Sequence, residues 1–139
     1  MNIVFLDIDG VLNQLQRNYI DINCVKHLHE IIKLINGKVV LISSWRKGYS
    51  NLGKSSPQIE ELKQIFNKFG IEIIGRTKDL NNRADEIRDY IKSHEVNKWI
   101  ILDDDKEEYD KTTDNLYLVN CKTGLTTKDV KQIKKNICK

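Results

Sequence analysis

A chain of 139 residues, 40% hydrophobic and 31% charged, can bury one core without staples and is composed like a soluble globular protein. Its net charge of +3 is too small to argue for a nucleic-acid surface by itself. No apolar run is long enough for a bilayer, and no basic segment followed by an apolar one marks a secretory leader. Cys24, Cys121 and Cys138 are odd in number and lack C-x-x-C spacing, which fits reduced thiols in a cytoplasmic protein better than a disulfide framework or a zinc site. The expectation is one domain over residues 1–139.

The first element is the apolar run Ile3 to Leu6, too hydrophobic for a half-exposed strand and too short for a helix, so it reads as a strand buried on both faces. Asp7, Asp9 and Gly10 follow at once. Buried carboxylates are costly unless paired, and two of them at a strand's carboxyl end point to a bound cation. A hairpin turn at Asp9-Gly10, returning through Val11 to Leu15, is the competing reading. It leaves Asp7 without a partner. Val11 to Ile20 then reads as a polar loop, suited to a flap or to a plain connection.

Asp21 can cap a helix with Val25, Leu28, Ile32 and Ile35 on one face, closed by Asn36-Gly37. His27 and His29 have no ligand partner at helical spacing and read as surface or boundary residues. Val39 to Ile42 is a second buried strand, ending in Ser43-Ser44-Trp45-Arg46. The polar loop Lys47 to Ser56 contains a literal G-x-x-x-x-G-K-S from Gly48 to Ser55. A phosphate loop must join a buried strand directly to a helix, and here the strand has already ended. Ser56-Pro57 starts a helix with Ile59, Leu62, Ile65, Phe66 and Phe69 inward, and Gly70 closes it. Ile71 to Ile74 is a third strand. Asn81 or Asn82 caps a helix burying Ala84, Ile87 and Ile91, with Asp85 and Glu86 suited to the positive end of its dipole. Arg83 in that first turn breaks the rule, which marks it as a candidate for function.

Trp99 to Leu102 is a fourth strand, running into Asp103-Asp104-Asp105. Three adjacent carboxylates form either a solvated acidic loop or a cation site. Leu116 to Val119 is a short fifth strand. Thr126 or Thr127 caps a last helix with Val130, Ile133 and Ile137 inward, while Lys128, Lys131, Lys134 and Lys135 fall mainly outward, as a solvated face or one that attracts an anionic polymer. Strands alternating with helices imply a three-layer, Rossmann-like α/β fold, a five-stranded parallel sheet with helices on both faces. Right-handed crossovers put every strand's carboxyl end on one edge. That edge collects Asp7, Asp9, Ser43, Asp103 and Asp104, with Arg83 in reach. Carboxylates without histidine or cysteine favour Mg²⁺, and a serine and an arginine beside them can hold phosphate oxygens.

Asp7-Ile8-Asp9-Gly10-Val11-Leu12 resembles the first signature of the haloacid dehalogenase-like (HAD) superfamily of phosphohydrolases. Ser43 after its apolar strand, Arg83 ahead of the fourth strand, and Leu102-Asp103-Asp104 resemble the second, third and fourth. Together with Ser44-Trp45-Arg46 and Thr123-Gly124-Leu125-Thr126, the set is similar to a small, nearly capless branch found in multi-domain RNA-repair proteins. The resemblance implies a HAD-like hydrolase without a large cap: a Mg²⁺-dependent phosphatase acting through an aspartyl-phosphate. Asp7 would be nucleophile and metal ligand. Asp9 would be the general acid/base and lend its carbonyl to the metal. Ser43, with Ser44 beside it, and Arg83 would bind the phosphoryl group, and Asp104, with Asp103 competing, would complete the metal site. Arg83 stands where lysine is commoner, a change that keeps the charge.

Trp45 is either core or a base-stacking platform, and Arg46 either a substrate contact or a structural salt bridge. The expected substrate is a phosphomonoester: the lack of room for a large cap suits a bulky one such as a nucleic-acid end or a phosphoprotein, and the RNA-repair resemblance favours a polynucleotide or nucleotide phosphate. The rivals are a phosphorylatable receiver-like module, a catalytically silent binding domain and a nucleotide-binding kinase built on Gly48 to Ser55. A receiver requires an aspartate at the end of the third strand, where this chain has Gly75, and a lysine after the fifth, for which Lys122 could be offered.

Overall fold

The computed structural model describes residues 1–50 and 52–137; Asn51, inside the Gly48 to Ser55 motif, and Cys138 lie outside that set. The elements in chain order are β1 (Asn2–Leu6), α1 (Ile22–Ile35), β2 (Lys38–Leu41), α2 (Pro57–Asn67), β3 (Ile73–Arg76), α3 (Arg83–Ser93), β4 (Lys98–Asp103), β5 (Leu116–Leu118) and α4 (Thr127–Ile137). The five strands form one sheet in the order β3-β2-β1-β4-β5. Each neighbouring pair is parallel. Receiver domains of this size have the order 2-1-3-4-5, so the strand order removes the receiver reading. β3 also ends at Arg76, with no carboxylate to accept a phosphoryl group.

β1 is central, and its side chains divide the core. Val4 and Leu6 join Val39, Leu41, Ile100 and Leu102 on one face, covered by buried residues of α1, α2 and α4. Ile3 and Phe5 join Val40, Ile42 and Ile101 on the other, covered by Ile87 and Tyr90 of α3. The helices start where short polar side chains can satisfy orphan N–H groups. Asp21 accepts from Asn23, Ser56 from Ile59 and Asn82 from Asp85. At α4 the cap is Thr126: its hydroxyl accepts from the Asp129 N–H at 3.3 Å, and Asp129 Oδ2 accepts the Thr126 N–H at 2.8 Å, a reciprocal capping box.

Three local expectations change. β3 begins at Ile73 rather than Ile71, because the Ile71 N–H is used by Phe66 O at 3.0 Å to close α2 through left-handed Gly70. Ile137 is exposed, so the inward stripe of α4 ends at Ile133. Ser44–Gly48 is not loop but a short 3-10 helix capped by Ser43. That turn takes in Gly48 and stands between β2 and the rest of the motif, so the strand–loop–helix geometry of a phosphate loop is missing. The Ser55 hydroxyl, moreover, receives the Ser50 N–H and Lys63 Nζ. Among the described residues the only element inserted between β1 and α1 or between β2 and α2 is this turn, so no cap domain covers the sheet edge.

Candidate active site

β1 runs straight into Asp7, whose N–H continues the ladder to Leu102 O at 3.0 Å. β4 ends in Asp103, with Asp104 next. Parallel pairing of β1 with β4 therefore brings the three carboxylates to one spot, and an oxygen of each lies within 4.8 Å of the others. Asp7 and Asp103 are buried and Asp104 is half-buried. Gly10, at φ +83°, lets the chain turn directly over this cluster; a methyl there would overlap the Asp104 carboxylate.

Arg83 is the counter-charge. Its Nη1 is 2.6 Å from Asp103 Oδ2 and its Nη2 3.5 Å from Asp7 Oδ1. Burial works against its charge, but Asp7 and Asp103 outweigh that and hold its pKa above the ordinary value. One guanidinium does not neutralise three carboxylates. Burial first, then the Asp103 charge, push Asp7 up to about 9, against the opposing pull of Arg83. Asp104 is also raised, chiefly by burial. All the donors are carboxylate oxygens, and ionising Asp7 is costly without further positive charge. This set fits a hard divalent cation.

Within the cluster the two adjacent aspartates differ. Asp103 is fully buried. Its Oδ2 accepts from Arg83 Nη1 and from the Tyr109 hydroxyl, both at 2.6 Å, and its Oδ1 accepts the Asp105 N–H at 3.1 Å. Asp104 has the freer carboxylate, facing Gly10. Asp9 is exposed and its side chain stands outside the three-carboxylate group. Asn13 Nδ2 donates to its Oδ1 at 3.2 Å and Trp45 Nε1 to its Oδ2 at 3.1 Å. Trp45 is thus partly core and partly a hydrogen-bond donor to Asp9. The Asp9-Gly10 step is a turn off β1, closed by Val11 and Leu12 N–H groups on Ile8 O, and no return strand follows.

Ser43 is buried just beyond β2, its Oγ accepting the Trp45 N–H at 3.1 Å. Its own hydroxyl hydrogen remains available to donate. Ser44 is exposed. Arg46 is drawn into a structural salt bridge: it is buried, 2.8 Å from Glu86 Oε2, and donates to Ile42 O at 2.6 Å. Glu86 is consequently a buried partner and not the solvated dipole-complementing acid expected from its place in α3. Tyr109 and Asn13 gave little warning. Tyr109 sits in an acidic loop, and Asn13 is one polar residue in a polar stretch, although an Asn three residues after Gly10 is suited to closing a turn.

The family model for the HAD domain in Swiss Army Knife RNA repair proteins matches residues 3–130. The chain belongs to this HAD family. No curated protein matches it. The match spans β1 to the first turn of α4 and takes in Asp7, Ser43, Arg83 and Asp103-Asp104. Membership places the HAD domain among hydrolases and phosphatases of that superfamily. Among its described residues no helix is long and apolar enough to cross a membrane.

Proposed function

We propose that this HAD domain is a Mg²⁺-dependent phosphatase that hydrolyses phosphomonoesters through an aspartyl-phosphate on Asp7, with nucleotides or nucleic-acid ends as the substrate class. One observation carries the reading: Asp7, Asp103 and Asp104 converge within 4.8 Å while Arg83 bridges Asp7 and Asp103. Asp7 and Asp104 would hold the metal, with the Asp9 carbonyl. Asp103, saturated by Arg83, Tyr109 and the Asp105 N–H, fixes the arginine instead. When bound, Mg²⁺ would offset the carboxylate charge and polarise the phosphoryl group.

The protein groups then divide the work. Asp7 Oδ attacks phosphorus and takes the phosphoryl group. The Ser43 hydroxyl and the Arg83 guanidinium hold its other oxygens, and exposed Ser44 lies beside them. Asp9 gives its proton to the leaving oxygen, then removes one from the water that cleaves the acyl phosphate. Its orientation is set by Asn13 and Trp45. Without a cap, the sheet edge is open to a bulky phosphate ester, and the family's occurrence in RNA-repair proteins supports a nucleic-acid end.

The test is phosphate release over nucleotides, 3′- and 5′-phosphorylated oligonucleotides and sugar phosphates, with Mg²⁺ and with chelator. Metal-dependent release from at least one nucleotide or oligonucleotide is expected. Release that persists undiminished in chelator would sink the mechanism.

A further inference from the structure

Next to the carboxylate cluster lies a groove of about 540 Å³ lined by Gln14, Leu15, Gln16, Arg17, Cys121 and Lys122. Its Cys121 wall adjoins the Gly10 turn that covers the proposed metal site. The methyl that would overlap Asp104 from Gly10 would also stand 3.2 Å from Cys121 Cβ. The two walls are tied together, since the Leu15 N–H donates to Cys121 O at 3.0 Å.

The lining carries two cations and no carboxylate, in contrast to the acidic centre beside it. Among the described residues neither Arg17 nor Lys122 forms an ion pair. Arg17 is steadied by Tyr19, donating to its hydroxyl at 2.5 Å with the guanidinium 5.9 Å from the ring centroid. Asp21, the acid closest along this loop, is occupied by Gln14 Nε2 at 2.9 Å and the Asn23 N–H at 2.9 Å.

A second observation points to a ligand. Gln14 Oε1 is buried and has no partner. Its amide cannot be reversed to cure this, because Nε2 already serves two acceptors, Asp21 Oδ2 and Thr123 O. A buried acceptor left unmade is costly, and Gln14 stands in the groove lining, so a bound donor that draws this carbonyl outward would satisfy it.

We propose that this groove is a subsite for the second nucleotide of a single-stranded polynucleotide whose terminal phosphate lies at Asp7. The inference rests on the phosphatase reading above. Arg17 and Lys122 bind the internucleotide phosphate, and Gln14 Oε1 accepts from a sugar hydroxyl or base amino group. Exposed Tyr19 offers a ring for stacking on the same loop. The HAD domain therefore prefers an oligonucleotide end to a mononucleotide.

Binding is measured by fluorescence anisotropy with the Asp7→Asn chain and a single-stranded oligonucleotide phosphorylated at the end away from the dye, in ribo and deoxyribo forms. Arg17→Ala with Lys122→Ala should weaken binding about tenfold and lower the slope of log Kd against log salt by about one to two. In the active chain the same pair should lower the ratio of kcat/KM for the oligonucleotide to that for p-nitrophenyl phosphate by about tenfold. An unchanged ratio and unchanged salt slope overturn the subsite. A phosphopeptide that binds as tightly through the same two residues overturns the nucleic-acid occupant. If no substrate is hydrolysed but oligonucleotide binding still depends on the pair, the phosphatase reading fails and the subsite stands.

Discussion

The Arg46 guanidinium closes on the Glu86 carboxylate with contacts of 2.8 and 3.1 Å, both side chains buried, at the joint between the turn after β2 and the first turns of α3. Arg46 also holds Ile42 O, one residue before Ser43, and Glu86 Oε2 accepts the Leu80 N–H. The pair therefore braces Ser43 and Arg83 relative to each other. Arg46→Met leaves the Glu86 carboxylate buried without a counter-charge and should cost about 3–5 kcal/mol in chemical denaturation; Glu86→Gln, which leaves Arg46 the exposed Asp79 at 3.2 Å, should cost less. Combining Arg46→Met with Glu86→Leu should recover part of that loss, and strictly additive effects would show that the pair is not coupled.

Asp7→Asn keeps the shape of the side chain and removes the proposed nucleophile. Turnover should fall about a thousandfold or more, with the far-UV circular dichroism spectrum unchanged. Because the replaced carboxylate is crowded by Asp103 and Asp104, the metal-free variant should melt no lower than the parent at pH 8. A variant that melts well below the parent would mean the Asp7 charge is compensated without metal.

Asp103 and Asp104 should separate by phenotype. Asp104→Asn should raise the Mg²⁺ concentration needed for half-maximal activity by about tenfold or more with little change in melting temperature. Asp103→Asn removes the anion shared by Arg83 and Tyr109, so its main effect should be lost stability and weaker phosphate binding. A magnesium titration moved only by Asp103→Asn would reverse the assignment.

The raised Asp7 pKa makes a prediction about pH. In the folded, metal-free chain Asp7 keeps its proton up to about 9, while its ordinary value is 3.8. Between those values the folded state binds more protons than the unfolded state. Stability of the metal-free chain should therefore decline as pH rises across that window and level off above it. Saturating Mg²⁺ should oppose the decline, so the rise in melting temperature on adding the metal should be larger at pH 8 than at pH 5. Equal shifts at the two pH values would remove Asp7 from the metal site.

The architecture was legible because its signals are local. Buried strands read as apolar runs, helix starts carry Asp21, Ser56, Asn82 and Thr126, and strand ends carry the acids. The collection of Asp7, Asp103 and Asp104 followed from parallel topology alone. What escaped was decided by tertiary contacts with no sequence period. Nothing in Lys106 to Asp110 marks Tyr109 as the donor to Asp103. Nothing in α3 distinguishes Glu86, which meets Arg46, from Asp85, which pairs with exposed Arg88 at 3.2 Å. The start of β3 was misplaced because helix closure at Gly70 claimed the Ile71 N–H first.

The central place of β1 has a kinetic consequence. Its two neighbours are β2 and β4, and β4 is made roughly ninety residues after β1. During synthesis Asp7 therefore waits for Asp103 and Asp104 until most of the sheet has been translated. Half-built chains hold one carboxylate of the trio without the others, so under the proposed mechanism a nascent chain would neither hold metal nor act on phosphate esters. Catalytic competence should switch on in a single late step, together with cooperative closure of the sheet.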